Sequence, residues 1–367
     1  MITLVKGDNI NDTFWYLCRE AVTWPKEMRR DNKTMMDSPG PVCVEIHEPK
    51  RRVLNIPHRN NSLPAACAET LWILAGRNDI DWLSFYLPRA ADFSDDGEVW
   101  RAGYGPRLRR WISYGGGVNP DYSPYEHSTD QLKFVVDELR TNPPSRRAVI
   151  GIFDPYKDSI FPIKTKDFPC TQSLSFMVRN GHLDLAVFIR SNDLVWGWSG
   201  VNVFEFTVLQ ELVADMVGLP VGYYHHVANN LHVYDRHFRM VRRIADTGLS
   251  DNSYLYDKRW VAPKYKAISN LDYMDEELRD FFGVEKSLRD GCMADDEIGV
   301  SFQRRNGRTL IGDLVSVVLS YCAFKIGQHE VSEIIRDGIM DYALKASLDK
   351  YLAWLRRPKV PRMEDTD

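Results

Sequence analysis

Residues 174–190 read LSFMVRNGHLDLAVFIR, and this stretch decides the fold class. Its two apolar runs flank Asn180-Gly181, a dipeptide that favours the tight turn of a β-hairpin. Residues 202–217, NVFEFTVLQELVADMV, follow with apolar residues at helical spacing, and Gly218 comes directly after them as a C-terminal cap. Val221–Tyr234 then returns to strand character. Strands with interspersed helices predict an α/β or α+β fold.

Shorter elements are predicted towards the N-terminus. Asn11 is expected to cap a helix that runs to Glu20, because its side chain can accept from the first free backbone N–H groups. Val42–Ile46 alternates as a half-buried strand does. Ala65–Ala75 is predicted as a helix that Gly76 closes.

Further helices are predicted along the chain. Ser128 or Thr129 is expected to cap one helix, which ends before Asn142-Pro143-Pro144. From about residue 270 the long segments are Leu310–Gly327 and Val331–Leu355, and the charged residues within the first favour a buried helix over a membrane span. We therefore expect a main domain over residues 1–270 and a mainly helical C-terminal extension over residues 271–367.

The composition is that of an ordinary globular protein and excludes several classes. Of 367 residues, 44% are hydrophobic and 12% aromatic, and 47 Lys and Arg against 51 Asp and Glu give a net charge of −4. This balance excludes a polycationic nucleic-acid coat, a disordered scaffold and a collagen-like fibre. No direct nucleic-acid binding is expected, so any phosphate ligand must meet a local cationic site.

The cysteine pattern predicts reduced thiols. Six cysteines are scattered without a CxxC motif or a nearby His pair at ligand spacing, which argues against a disulfide framework and predicts no metal site: Cys18, Cys43, Cys67, Cys170, Cys292 and Cys322. The first residues lack the apolar core of a signal peptide. These features favour a cytoplasmic protein.

Cys170, within Phe168-Pro169-Cys170-Thr171, is a candidate nucleophile. The thiolate is the reactive form of cysteine, and a nearby cation lowers the pKa of the thiol. Arg190, on the far strand of the predicted hairpin, can lie close enough to supply that charge. A buried structural thiol is the alternative reading for any single cysteine.

Arginines form a second candidate group. Ser145-Arg146-Arg147 opens a predicted strand, and Arg190-Ser191-Asn192-Asp193 ends another. Guanidinium forks suit phosphate oxygens, and without a P-loop or a dinucleotide-binding glycine motif these residues fit a nucleoside monophosphate. Solvated charge is the alternative. Because adjacent residues of a strand point to opposite faces, Arg146 and Arg147 are not expected to share one ligand unless the backbone bends.

Two further polar features stand out. In His232-Val233-Tyr234, the His and Tyr lie two positions apart, so on a strand both polar tips can face one sugar hydroxyl. Glu69 lies within the apolar run Ala68-Glu69-Thr70-Leu71-Trp72, where burial would raise its pKa and suit proton transfer. A core His and Tyr bonded to the backbone, and an exposed helix position for Glu69, are the alternatives.

Taken in order, these motifs resemble the thymidylate synthase family, which includes the dCMP and dUMP hydroxymethylases of bacteriophages. The resemblance spans residues 69–238 and implies a three-layer fold with a mixed β-sheet and packed helices, plus the C-terminal helical extension. It rests on six short motifs: Glu69-Thr70-Leu71-Trp72, Gly103-Tyr104-Gly105, Ser145-Arg146-Arg147, Pro169-Cys170, Arg190-Ser191-Asn192-Asp193 and His232-Val233-Tyr234.

The resemblance implies a role for each candidate. Cys170 would add to carbon 6 of a pyrimidine nucleoside monophosphate, Glu69 would manage proton transfers, and Tyr104 would assist proton removal at carbon 5. The carbon donor would be 5,10-methylenetetrahydrofolate. The substrate-binding residues would be Arg190 and Ser191 at the phosphate, Arg146 and Arg147 from the partner subunit of a homodimer, Asp193, Asn202 at the pyrimidine edge, and His232 and Tyr234 at the sugar.

Several positions depart from the synthase pattern. Thr171 follows the nucleophile, whereas synthases usually carry His there; this Cys-Thr pair resembles the T-even phage dCMP hydroxymethylase. The segment before Asn202 is one residue longer than in synthases. Arg29, Arg30 and Lys33 are the candidates for the N-terminal phosphate-binding loop. The chain ends in acidic residues, unlike the apolar tail that closes over folate in synthases.

We therefore predict folate-dependent hydroxymethylation at carbon 5 of dUMP or dCMP. An active site open to water suits the attack of water on an exocyclic methylene group, whereas hydride transfer needs water excluded. Reductive methylation by a thymidylate synthase is the alternative within the enzyme class. A catalytically idle, nucleotide-binding member of the family is the alternative outside it.

Overall fold

A six-stranded mixed sheet lies at the centre of the fold. The structure is a computed structural model that describes residues 2–28, 34–115, 125–159, 164–247, 260–291 and 308–357. In spatial order the strands are β1 (Thr3–Gly7), β4 (Val42–Ile46), β11 (Val221–Ala228), β9 (His182–Ile189), β8 (Thr171–Arg179) and β7 (Val149–Gly151). β1 pairs with β4, and β11 with β9, in parallel, while the other pairs are antiparallel. The mixed sheet confirms the predicted fold class.

Two smaller sheets accompany the central one. The first is four-stranded and has the order β10 (Asn192–Asp193), β12 (Leu231–Tyr234), β3 (Thr34–Asp37) and β2 (Lys26–Met28). The second pairs β5 (Trp111–Gly115) with β6 (Tyr125–Thr129). The predicted strand over residues 221–234 is therefore two strands that belong to different sheets.

Helices cover the sheets and supply most of the core. They are α1 (Ile10–Ala21), α2 (Leu63–Leu74), α3 (Ile80–Tyr86), α4 (Tyr104–Arg109), α5 (Gln131–Thr141), α6 (Pro155–Asp158), α7 (Val203–Val217), α8 (Phe238–Asp246), α9 (Leu271–Arg289), α10 (Leu310–Lys325), α11 (His329–Asp337) and α12 (Tyr342–Leu355). Short 3₁₀ helices span Ala90–Phe93 and Asp235–His237, and a π-helix spans Leu194–Asn202. In α2, Glu69 is the one residue that is not buried.

The predicted hairpin and the following helix are confirmed. β8 and β9 pair across Asn180 and Gly181, whose positive φ angles of 50° and 76° suit the two central positions of a type I′ turn. Helix α7 ends at Gly218, which adopts the left-handed conformation with φ 80°. The π-helix precedes α7, so Asn202 lies at the junction of the two helices.

Two predicted helix caps are wrong by one or two positions. Asn9, not Asn11, caps α1, and its side chain accepts from the backbone N–H groups of residues 11 and 12. Asn11 is buried and its side chain donates to the carbonyl of Val53. Asp130, not Ser128 or Thr129, caps α5, because those two residues still pair within β6.

The C-terminal helices pack onto the rest of the protein. Helix α10 lies against α2 and α9, and all its side chains from Leu310 to Ala323 are buried. The predicted long helix over residues 331–355 is two helices, α11 and α12, and Asp341 caps the second. The division of the chain at residue 270 stays a prediction. Within the described ranges, no helix combines the length and the apolar character that crossing a bilayer requires.

Candidate active site

A cleft of about 500 Å³ lies where β8 begins and β9 ends in the central sheet, beside helix α2 and the four-stranded sheet. Cavities of this size accommodate small-molecule ligands. Nine residues singled out from the sequence line it: Glu69, Tyr104, Cys170, Arg190, Ser191, Asp193, Asn202, His232 and Tyr234. The cleft therefore brings together segments that are far apart in the sequence.

Hydrogen bonds from both sides fix the backbone around Cys170. Cys170 directly precedes β8, and the Tyr104 hydroxyl accepts from the backbone N–H of Thr171 at 3.1 Å. The Nε of Arg190 donates to the carbonyl of Pro169 at 2.9 Å, and Arg101 donates to the carbonyl of Asp167 at 2.7 Å. The half-buried thiol is thus held at the cleft wall by backbone contacts.

The surroundings of Cys170 affect the pKa of its thiol in opposite directions. Its Sγ lies 3.8 Å from an Nη of Arg190, so the predicted cation is in place. Burial nevertheless raises the pKa of the Cys170 thiol, Arg190 lowers it, and Asp167 raises it further. Burial outweighs the arginine, so the expectation of a lowered pKa is wrong for this state of the protein.

Glu69 is half-buried at the cleft, not exposed to solvent on its helix. Burial among apolar neighbours raises the pKa of its carboxyl to about 7. A carboxyl with such a pKa can both accept and donate a proton near neutral pH. This environment fits the proton-transfer role that the family resemblance implies.

Tyr104 begins helix α4 and stacks on Phe206, with 6.5 Å between the ring centroids and 17° between the ring planes. Burial raises the pKa of the Tyr104 hydroxyl, and Cys170 and Glu205 raise it further. The hydroxyl therefore stays protonated near neutrality. It can donate a hydrogen bond into the cleft while it accepts one from Thr171.

The opposite wall is polar and comes mainly from the four-stranded sheet. The rings of His232 and Tyr234 meet edge to face with centroids 5.1 Å apart, and the His232 Nδ1 bonds the Oδ1 of Asn230 at 3.0 Å. The Ser191 hydroxyl lies 3.2 Å from the same Oδ1. Asp193 accepts from the backbone N–H of Val195 at 2.8 Å.

Arg146 and Arg147 lie outside the cleft of their own chain. Both are exposed just before β7, and the Nε of Arg147 is 3.5 Å from a carboxylate oxygen of Glu138. The strand that they were expected to open begins only at Val149. The candidates for the N-terminal phosphate-binding loop, Arg29, Arg30 and Lys33, lie outside the described residues, as does the acidic C-terminus.

The structure adds residues that sequence reasoning missed. Five aromatic residues (Trp72, Phe93, Trp100, Phe168, Trp196) and three cationic ones (Arg89, Lys166, Arg236) also line the cleft. Glu205 lies buried in the first turn of α7 and accepts from the Nδ2 of Asn202 at 3.0 Å. The signal that singled out Glu69, a carboxylate within an apolar run, was present at Glu205 as well.

The sequence profile of the family described as thymidylate synthase matches residues 29–286. The chain belongs to the thymidylate synthase family. Its membership confirms the predicted family and fold. It also confirms the prediction of an enzyme that uses methylenetetrahydrofolate to transfer one carbon to carbon 5 of a pyrimidine nucleotide.

Individual relatives are similar to different extents. The chain is 36% identical to a deoxyuridylate hydroxymethyltransferase of Bacillus phage SP01 over 265 residues, which cover 70% of this chain and 67% of that protein. It is 33% identical to a protein of the same name from Pseudomonas phage M6, over 60% of this chain and 58% of that one. Similarity to a thymidylate synthase of Symbiobacterium thermophilum is 26%, over 74% of this chain and 95% of that enzyme.

Proposed function

We propose that this thymidylate synthase family member hydroxymethylates dUMP at carbon 5. The observation that carries the proposal is the convergence of Cys170, Arg190, Glu69 and Asn202 on one cleft. Greater identity to two deoxyuridylate hydroxymethyltransferases than to a thymidylate synthase supports this product. Thr171 beside the nucleophile, in place of the usual His of synthases, agrees with it.

The nucleotide is bound at its phosphate, sugar and base. Arg190 and Ser191 hold the phosphate, since both line the cleft and a guanidinium with a hydroxyl suits phosphate oxygens. His232 and Tyr234 face the sugar, Asn202 faces the pyrimidine edge, and Asp193 lies beside them. This contact set holds carbon 6 of the base near the Cys170 sulfur.

Catalysis begins with the thiolate of Cys170. Its addition to carbon 6 makes carbon 5 a nucleophile that bonds to the one-carbon unit. Loss of the proton from carbon 5 and departure of tetrahydrofolate then leave an exocyclic methylene group on the Cys170-bound ring, and the 5,6 double bond returns only when Cys170 leaves carbon 6. Tyr104 donates a hydrogen bond at the ring face, and Glu69 exchanges protons with the base and with water. Attack of water on the exocyclic methylene group then gives the hydroxymethyl product, and elimination frees Cys170.

The remaining lining of the cleft fits the folate. When bound, methylenetetrahydrofolate supplies a one-carbon unit at the oxidation level of formaldehyde. Trp100 is partly exposed, and Phe93 and Trp196 keep 42% and 41% of their surface exposed with rings 6.5 Å apart, as suits the flat rings of a pterin and an aminobenzoyl group. Arg89 and Lys166 are exposed cations that suit the glutamate carboxylates.

The functional unit is a homodimer in the cytoplasm, in which Arg146 and Arg147 of one copy reach the phosphate site of the other. Both arginines are exposed and lie outside their own cleft. The outer side of the central sheet exposes apolar side chains on separate strands, including Leu4, Phe188 and Tyr223. Five cysteines of the described residues carry free thiols, as a reducing compartment permits.

A product assay tests the proposal. The enzyme is incubated with methylenetetrahydrofolate and dUMP, dCMP, UMP or CMP, and the nucleotides are analysed by mass spectrometry. We expect a mass gain of one CH₂O unit on dUMP without dihydrofolate. Stoichiometric dihydrofolate with thymidylate would instead identify reductive methylation. Nucleotide binding without tritium release from carbon 5 of labelled dUMP or dCMP would identify an idle family member.

A further inference from the structure

Glu205 is a buried carboxylate that the mechanism above does not use. It is 4% exposed in the first turn of α7, and its Oε1 accepts from the Nδ2 of Asn202 at 3.0 Å. Its Oε2 has no hydrogen-bond partner among the described residues. A buried carboxylate costs free energy, so this one calls for a role beyond packing.

The amide of Asn202 is held at both ends. Its Oδ1 accepts from the Nδ2 of Asn192 at 2.8 Å, while its own Nδ2 donates to Glu205. A carboxamide has two N–H donors and two lone pairs on oxygen, so one donor and one acceptor remain for a ligand in the cleft. Their order along the cleft wall is fixed by Glu205 and Asn192.

The close approach of the two amides depends on Gly197. A Cβ at residue 197 would lie 2.5 Å from the Nδ2 of Asn192 and 3.1 Å from the Oδ1 of Asn202. Such distances are too short for van der Waals contact, so any larger residue at position 197 would displace the pair. The π-helix that carries Gly197 thus leaves space for the hydrogen bond between Asn192 and Asn202.

The order of donor and acceptor decides between uracil and cytosine. Uracil presents an N3–H donor beside the O4 acceptor, whereas cytosine presents an N3 acceptor beside an N4–H donor. An amide that is free to flip serves both bases, but an amide with a fixed orientation serves one. Glu205 Oε1 accepts from Asn202 whether or not Oε2 carries a proton, so Glu205 favours one orientation.

We propose that Glu205 is a specificity-determining positioning residue, which fixes the Asn202 amide in the orientation that accepts uracil and rejects cytosine. The inference rests on the proposed function, because the choice of uracil over cytosine follows from that function. Burial raises the pKa of the Glu205 carboxyl, and the charge of Glu69 raises it further. A proton on this carboxyl can occupy Oε2, because Oε1 accepts from Asn202.

Equilibrium binding of dUMP and dCMP to the full-length enzyme without folate tests the proposal. Glu205→Gln replaces the carboxylate with an amide of the same shape, which can turn its N–H groups towards Asn202 and permit the flipped orientation. We expect the ratio of the two dissociation constants to shift towards dCMP by about tenfold or more. Gly197→Ala should shift the ratio in the same direction, because it displaces the other end of the amide pair.

The matched control is Glu211→Gln, on the same helix. Glu211 is equally buried, but its carboxylate pairs with Lys50 at 2.8 Å and with Arg52, away from the cleft. It should lower thermal stability without changing the ratio. An unchanged ratio in both Glu205→Gln and Gly197→Ala, with nucleotide still bound, would overturn this inference alone. Failure of the wild-type enzyme to bind either nucleotide would overturn the proposed function as well.

Discussion

Burial and the nearby Arg190 act in opposite directions on the pKa of the Cys170 thiol. Burial raises the pKa of the thiol although Arg190 lies 3.8 Å from the sulfur, so most of the free enzyme carries the protonated form at neutral pH. We expect Cys170→Ser to reduce tritium release from carbon 5 of labelled dUMP by at least about a thousandfold, because serine is a far weaker nucleophile. A filter assay for released tritium measures it.

The same variant should keep the affinity for dUMP nearly unchanged, because phosphate, sugar and base contacts come from other residues. Cys43→Ser is the matched control, since Cys43 is a half-buried free thiol on β4 that does not line the cleft. Tritium release at the wild-type rate from Cys170→Ser would contradict the assignment of the nucleophile.

The raised pKa of Glu69 predicts how activity changes with pH on the acid side of the profile. Its pKa is raised to about 7, so the carboxyl is protonated below that pH and ionised above it. If the ionised form acts as the base, kcat/KM falls as the pH drops below about 7. We expect Glu69→Gln to abolish this inflection and to lower kcat/KM by about 10²- to 10⁴-fold. The pH profile of tritium release measures both effects.

Two observations would separate this role from a structural one. Because the pKa of the Cys170 thiol is raised and the thiolate is the reactive form, we expect activity also to rise towards alkaline pH. This rise should persist in Glu69→Gln. The exposed Glu330 provides the control, because Glu330→Gln removes a carboxylate outside the cleft and should leave the whole profile unchanged. An inflection near pH 7 that survives in Glu69→Gln would contradict the role of Glu69.

Among the helices and strands, residue types correctly predicted the turns and helix ends that depend on the backbone conformation of one or two residues. The turn at Asn180-Gly181 and the end of α7 at Gly218 depend on positive φ angles, which the residue types alone reveal. The caps at Asn9 and Asp130 could not be chosen from sequence alone, since Asn11, Ser128 and Thr129 offer equivalent side chains within two positions. Pairing in β6 and burial of Asn11 decided these cases.

In the candidate site, the sequence likewise predicted residues within one segment but not the contacts between segments. The motifs around Cys170, Arg190 and His232 identified the cleft residues contributed by their own segments. The aromatic lining and the contact of Asn192 with Asn202 join separate segments, and the turn geometry that brings them together is not encoded in either segment alone. Glu205 was missed because an acidic residue in the first turn of a helix is usually explained by the helix dipole.

The packing of α10 on α2 links the C-terminal helices to the active site. Leu314 is fully buried in α10, and α2 carries Glu69 on the cleft side. We expect Leu314→Ala to lower the free energy of unfolding by about 2–5 kcal/mol, because it removes buried methyl groups and leaves a cavity. Urea denaturation followed by circular dichroism measures the change.

Val261→Ala is the control for this substitution. Val261 is 79% exposed, so its truncation should change the free energy of unfolding by less than about 0.5 kcal/mol. Equal effects of the two substitutions would show that α10 does not contribute to the core in the way described.

The whole molecule leaves part of its central sheet uncovered in the single chain. Leu4, Val149, Phe188 and Tyr223 keep between 38% and 60% of their surface exposed on four different strands. Apolar surface spread over a sheet favours association with a second copy of the same surface. Arg146 and Arg147 come just before β7, an edge strand of that sheet. From this exposed position, their side chains can extend across a dimer interface to the other chain.

Mixed dimers test this arrangement directly. Cys170→Ser and the double variant Arg146→Ala/Arg147→Ala should each be nearly inactive alone. After subunit exchange, half of the dimers are mixed, and one of their two sites combines an intact Cys170 with intact arginines from the other chain. We therefore expect recovery of about a quarter of the wild-type turnover.

Mixing Cys170→Ser with Glu69→Gln should recover none, because both residues line the cleft of the same chain. Absence of recovery in the first mixture would mean that each chain builds its phosphate site alone. Recovery in the second mixture would contradict the placement of Cys170 and Glu69 in the cleft of one chain.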